Sequence, residues 1–441
     1  MACASLWAAE PTVADPLQPA RQALQRRDYE QVLKLVEPLL APESAAPDAR
    51  RLKIQSLVGL GRPMDALDEY DRLQAHTRHD DEPLLRKVAI GFIPPLLKDM
   101  REQMRGAAYT ALKELDSEES VPYFEDGLSD GAGLVRALSV EGLGRLPKGR
   151  RSLRLRKALE DQAALVRVAT LKALGRSDDR SVTAVVETAL SDEQQIVRLT
   201  AAGVLAKWGR RDALSRVRQA AAAPNPEERA AALRILGELK DRQSLVVIVE
   251  AVRDTQPSVR GAAAAALGDV SFSEATSVLA SLLRDPIPAV RAVAAVSLGE
   301  LPASDSVSML TKALEDGNPA VRAAAVSALF KLGVPYRQVA PVVRELTQNI
   351  DPGIRATAAR ALAKSRDDDA IKTLRELLDD PLPRPRIASA RALGQIGDKS
   401  VVSVLKRALR DQDEAVRATA GGALGRLLSG MTPHEKALKK R

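Results

Sequence analysis

The sequence predicts an all-α protein, a right-handed α-solenoid of about eleven two-helix repeats with a 31-residue period. Three observations predict it. Valine-arginine pairs recur at Val135-Arg136, Val166-Arg167, Val197-Arg198, Val259-Arg260, Val290-Arg291, Val321-Arg322 and Val416-Arg417, spaced by multiples of 31 except across one two-residue insertion between 334 and 349. Arg105, Arg229, Arg355 and Arg386 fill the remaining places. A leucine stands seven residues after the arginine in every unit, from Leu112 and Leu143 to Leu393 and Leu424; that is two helical turns and hence one buried face. Composition agrees: 441 residues exceed the span of one hydrophobic core, and 2% aromatic with 28% charged residues describe good helix formers around a small-residue core.

Taken in order, residues 1–18 read as a signal-like or disordered N-terminus. Ala2 to Ala9 is apolar and Ala8-Ala9-Glu10-Pro11 looks like the small-residue end of an export signal, yet the apolar run is short and no basic segment precedes it. Either a true start lies further upstream, making the protein periplasmic or exported, or the N-terminus is frayed and the protein is cytoplasmic. No later stretch reaches the roughly 18 unbroken apolar residues of a membrane-spanning helix. Over residues 19–76, Arg27-Asp28-Tyr29-Glu30-Gln31-Val32-Leu33 and Gly61-Arg62-Pro63-Met64-Asp65-Ala66-Leu67 align at an offset of 34. That is the tetratricopeptide period, and the segment resembles one to two such helical hairpins with residues 42–47 as the loop between them.

Residues 77–430 carry the array. Six residues before the arginine stands an aspartate in nine units, at Asp99, Asp130, Asp161, Asp192, Asp254, Asp285, Asp316, Asp380 and Asp411; Ala223 and Asn349 are the exceptions. Proline precedes the arginine by three at Pro226, Pro257, Pro288, Pro319, Pro352 and Pro383, where a first helical turn needs no amide donor. Glycine follows the leucine at Gly144, Gly175, Gly237, Gly268, Gly299, Gly394 and Gly425, where a residue free to take positive φ ends a helix. Upstream of each aspartate runs another apolar helix, so the unit is helix, tight turn, helix. One hairpin cannot bury its apolar face, but a stack of them can. Residues 431–441 leave the pattern as a basic tail.

These residues resemble the short bacterial HEAT repeats also found in phycobilisome lyase subunits, of the form D-x-x-P-x-V-R-x-x-A-x-x-x-L-G, over roughly 82–429. The resemblance implies a HEAT-type repeat and a structural ladder joining adjacent units. Its members are Asp130, Arg136, Asp161, Arg167, Asp192, Arg198, Asp254, Arg260, Asp285, Arg291, Asp316, Arg322, Asp380, Arg386, Asp411 and Arg417.

Chemistry-bearing residue types are scarce. The three histidines are His76, His79 and His434, and the one cysteine is Cys3, so neither a disulfide within the chain nor a cysteine-based metal cluster is available. A HEAT-type deoxyhypusine hydroxylase, which resembles this fold, holds iron through several His-Glu pairs that this chain lacks. Phosphate-loop, dinucleotide and nucleophile-elbow motifs do not occur; Gly59-Leu60-Gly61 and Gly142-Leu143-Gly144 read as helix ends. The sequence therefore predicts no enzyme, no cofactor and no metal, but a scaffold or adaptor that binds a protein partner on the solenoid surface. A bilin lyase rests on fold analogy alone. The alternative is a binder of an anionic polymer such as nucleic acid. It draws on the formal charge of +8 and on Lys148, Arg150, Arg151, Arg154, Arg156 and Lys157, with Arg210, Arg211, Arg216 and Arg218 as a weaker echo.

Overall fold

A computed structural model describes residues 15–40, 47–177, 179–270 and 274–429. The signal-like segment before Asp15, the 42–46 part of the first loop, Cys3, His434 and the basic tail lie outside the described residues. The chain divides into two compact units, Met1–Pro95 and Leu96–Arg441.

The first unit holds α1 (Gln18–Gln25), α2 (Tyr29–Val36), α3 (Pro47–Gly59), α4 (Pro63–Thr77) and α5 (Glu82–Ile90). The two segments aligned at an offset of 34 place left-handed residues, Arg27 and Gly61, just before the second helix of each hairpin. Inside the unit, Glu69 is buried and accepts from Arg50 at 2.6 Å and Arg72 at 2.6 Å. The periodicity put the array's start at residue 77. In the structure α5 packs on α3 and α4, and the boundary falls after Pro95. The 3-10 turn Pro94–Lys98 spans that boundary, and the first described α-helix of the second unit is α6 (Glu102–Leu115).

The second unit is helical throughout its described residues. Its long inner helices are α6 (Glu102–Leu115), α8 (Gly133–Arg145), α10 (Ala164–Leu174), α12 (Gln195–Lys207), α14 (Pro226–Glu238) and α16 (Pro257–Val270), followed by α18 (Pro288–Leu298), α20 (Pro319–Lys331), α22 (Pro352–Leu362), α24 (Pro383–Ile396) and α26 (Glu414–Leu427). Between them stand the outer helices α7 (Val121–Gly127), α9 (Leu153–Lys157), α11 (Thr183–Thr188), α13 (Arg211–Ala220), α15 (Leu245–Glu250), α17 (Ala275–Leu282), α19 (Ala303–Ala313), α21 (Tyr336–Thr347), α23 (Asp368–Leu377) and α25 (Val402–Ala408). Prolines occupy the first turn of α14, α18, α20, α22 and α24. The leucines seven residues after each arginine are buried, each burial being worth about 1.5–3 kcal/mol.

The glycines after those leucines play a different part from the one their position suggests. Positive φ is confined to Gly61, Gly209, Gly333 and Gly397 among the described glycines. Gly175 and Gly299 end their helices in right-handed conformation, and Gly237 lies within α14. Their purpose is proximity. A Cβ on Gly144, Gly237 or Gly394 would come 2.6 Å from the next inner helix, at Ala173, Ala266 or Ala423 respectively. Gly142 lies in the last turn of α8, as its position suggests, and there it also makes room for the Phe124 ring. Inner helices thus touch along their length, while successive outer helices meet sparsely, and the array bends toward its inner side.

That bend closes the array. The inner helix α26 packs against α6, the first of the series, in one of the most extensive helix contacts of the molecule. The Ala111 carbonyl lies where a Cβ on Gly422 would stand, 2.5 Å away. Arg101 bridges Asp99 at 2.7 Å and Glu414 at 2.6 Å, and Gln395 donates to Glu114 at 3.1 Å.

Candidate functional site

The edge that carries the outer-to-inner turns is a charged spine. Each turn aspartate folds its own turn by accepting a backbone N–H two residues on, as Asp285 does from Ile287 at 2.9 Å. The arginine six residues later reaches back with one nitrogen to its own turn, Arg291 donating to the Asp285 carbonyl at 2.8 Å. Its Nε and second nitrogen grip the aspartate of the following unit: Arg260 meets Asp285 at 2.6 and 2.9 Å, and Arg291 meets Asp316 at 2.7 and 2.8 Å. The same bidentate pair joins Arg105 to Asp130, Arg136 to Asp161, Arg167 to Asp192, Arg229 to Asp254, Arg355 to Asp380 and Arg386 to Asp411. Arginine hydrogen bonds hold the carboxyls of Asp161, Asp285 and Asp316 below the ordinary carboxylate range.

Three of the expected ladder arginines do not join it. Arg198 has Ala223 at the place of the next aspartate and, among the described residues, bonds only its own turn carbonyls, at 2.7 and 3.0 Å. For Arg322 the place of the next aspartate is held by Asn349; Arg322 pairs with Glu345, and its buried Nε has no partner among the described residues. Arg417, in the last unit, lies 3.8 Å from Glu414, while Asp99 of the first unit is taken by Arg101.

The basic cluster is dispersed by the fold. It covers the 3-10 turn Gly149–Arg151 and the short α9, so its charges point several ways. Arg156 pairs with Asp179 at 2.8 Å and Arg154 with Asp126 at 3.4 Å. Lys148, Arg151 and Lys157 are exposed. Arg150 turns toward the ends of the inner helices, where it lines a cleft of about 650 Å³ with Lys113, Asp116, Glu141, Arg145, Lys172 and Arg176. The second cluster is largely neutralised, Arg210 by Asp212 and Glu187 and Arg218 by Asp241. His76 and His79 are exposed, and among the described residues no group of three metal-ligating side chains occurs.

The inner face holds a surface that the sequence alone did not single out. On each inner helix the residues two before the arginine and two, five and nine after it share the side turned away from the outer layer. In the second, third and fourth units the first of these rows is apolar and exposed: Leu134 by 56%, Leu165 by 47% and Ile196 by 43%. The last row of the same units is Arg145, Arg176 and Lys207. Arg145 lies 3.6 Å from Asp116, and Lys207 donates to the Gly175 carbonyl at 3.0 Å. Among the described residues Lys172 and Arg176 have no ion-pair partner. The row then reverses sign to Glu238, Asp269 and Glu300, where burial and its two acidic neighbours push the Asp269 carboxyl up. All six apolar and basic positions sit on the 31-residue period, so the signal was present in the sequence; what was missing was the face.

The chain matches the family described as HEAT repeats over residues 152–228, 216–295, 276–349, 333–389 and 377–440. No curated protein matches it. Among solved structures it is similar to human deoxyhypusine hydroxylase, with 22% identity, 56% of this chain and 96% of that one covered, and a TM-score of 0.27. It is also similar to the CpcE–CpcF phycocyanin lyase complex of Nostoc sp. PCC7120, at 19% identity, 54% and 92% coverage and a TM-score of 0.38. A Kap121p mutant shows 13% identity over 97% of this chain and 53% of that one, with a TM-score of 0.34. At these identities and scores the likenesses say nothing of a shared activity.

Proposed function

The chain belongs to the HEAT-repeat family, and from that premise we propose that it is a non-catalytic scaffold whose inner-helix face holds a protein partner. The observation that carries the reading is the contrast between the charges of the turn edge and those of the inner face. The turn-edge ladder spends its arginines and aspartates on one another, whereas Lys172 and Arg176 on the inner face meet no described carboxylate beside three exposed apolar side chains. Large apolar residues left open next to uncompensated charge mark an interaction surface more often than they serve a fold. Among the described residues no helix is long and apolar enough to cross a membrane. A photo-crosslinking amino acid placed at Leu165, Arg234 or Ser327 on the inner face, and at Val246 on the outer face, tests it in the native cell. One defined protein captured from the inner positions supports the reading; capture from Val246 alone overturns it.

A second reading, a binder of anionic polymers such as nucleic acid, is favoured by the cleft where Arg150 joins Arg145, Lys172 and Arg176. Phosphate contacts release counterions, so this reading requires affinity to fall steeply with salt. Charge reversal at Arg150, Arg151 and Arg154 that left nucleic-acid binding untouched would eliminate it.

A further inference from the structure

Resting on the inner-face reading, we infer that the second to fourth units form a track for an acidic amphipathic helix of a partner protein. Two parallel rows define the track: Leu134, Leu165 and Ile196 near the starts of α8, α10 and α12, and Arg145, Arg176 and Lys207 at or just beyond their ends. Eleven residues separate the rows along each helix, about 16 Å at 1.5 Å per residue. Neighbouring inner helices stand roughly 8–10 Å apart, so three of them offer about 20 Å of length. A helix of about fourteen residues, 10–12 Å across with its side chains, fills that space. Its apolar stripe would rest on the leucine row and its carboxylates would face the arginines.

Charge decides among occupants. The basic row ends where Glu238, Asp269 and Glu300 begin, and burial together with those two neighbours already disfavours Asp269 as a carboxylate. A long polyanion following the inner face would run onto these three acids, whereas a short acidic segment ends before them. An uninterrupted polyanion also has no use for Leu134, Leu165 and Ile196, which an amphipathic helix covers. A basic or purely apolar segment would desolvate Arg176 and Lys172, which have no ion-pair partner among the described residues, and give them none.

The test uses the full chain and three probes: a 16-residue helical peptide with Leu on one face and Glu on the other, a scrambled peptide of the same composition, and a 20-base-pair duplex DNA. Fluorescence anisotropy on wild type, Leu165→Asp, Arg176→Glu and the charge-matched Lys364→Glu, elsewhere on the inner face, gives the readout. The expected result is micromolar binding of the amphipathic peptide, weakened at least tenfold by Leu165→Asp and by Arg176→Glu and unchanged by Lys364→Glu. Leu165→Gln replaces the aspartate variant if circular dichroism shows that the latter is unfolded. Equal binding of the scrambled peptide or of the duplex, insensitivity to Arg176→Glu, or no binding of any probe overturns the track. Crosslinks to a protein from Ser327 would in that case leave the scaffold reading standing; their absence from every inner position removes both.

Discussion

Glycine at Gly237 and Gly261 illustrates how one residue type does opposite work within two successive inner helices. At Gly237 a methyl group would stand 2.6 Å from the Ala266 backbone, while at Gly261 it would meet nothing within 4 Å. Gly237→Ala is expected to lower the denaturation midpoint, because over-packing costs about 1–3 kcal/mol and better helix propensity returns at most about 1. Gly261→Ala is expected to raise stability by about 0.5–1 kcal/mol, since only the helix-propensity term acts. Parallel thermal melts of the two variants check both signs. The ladder aspartates make a prediction in pH. Asp285 is buried, and the Arg260 hydrogen bonds lower its folded pKa beneath that of the unfolded chain. A depressed carboxylate contributes its stability above the unfolded pKa near 4 and loses it as pH falls through the folded value. Asp285→Asn should therefore lower the melting temperature at pH 7 and lower it less at pH 3; an equal deficit at both would show that packing, not charge, is what Asp285 supplies.

At the scale of the helical hairpin, the unit is defined by its joint to the next one. Where the ladder is complete, the arginine ties two turns together through two nitrogens on one carboxylate, an arrangement stronger and more directional than a neutral hydrogen bond. The joint between α12 and α14 lacks it, because position 223 is alanine, and it also has the sparsest contact among successive inner helices. The backbone there is already in place: the Ala223 carbonyl accepts from Arg229 at 2.9 Å, as the aspartate carbonyls, or that of Asn349, do in the other units. Ala223→Asp should complete the ladder with Arg198 and stabilise by about 1 kcal/mol. Hydrogen exchange of the α12 and α14 amides, slowed in the variant and unchanged in distant helices, would locate the gain, since each unit answers mainly to its neighbours.

For the whole array, closure replaces the polar end caps that an open solenoid requires. The helices α6 and α26 bury faces that would otherwise be exposed, with the Ala111 carbonyl over Gly422 and Arg101 reaching Glu414. Gly422→Leu should wedge them apart, giving a larger radius of gyration by small-angle scattering and lost protection in both helices; an unchanged radius would mean that the closure tolerates a side chain there. By itself the sequence determined the unit: its 31-residue length, its helix-turn-helix form, its buried leucines and the spacing of its turn aspartates and arginines. Each of these is set by contacts within a hairpin or with the adjacent one, so each repeats and can be read. The tertiary structure alone decided what depends on the sum of many joints. It moved the first array-like helix, α5, into the N-terminal unit and turned the glycines after Leu143, Leu236 and Leu393 from helix ends into close-approach points. It scattered the Lys148 to Lys157 charges and gathered Leu134, Leu165 and Ile196 on one face with Arg145, Arg176 and Lys207. The small bend at each joint between inner helices is a local property, but only the ten joints from α6 to α26 added together bring α26 back to α6.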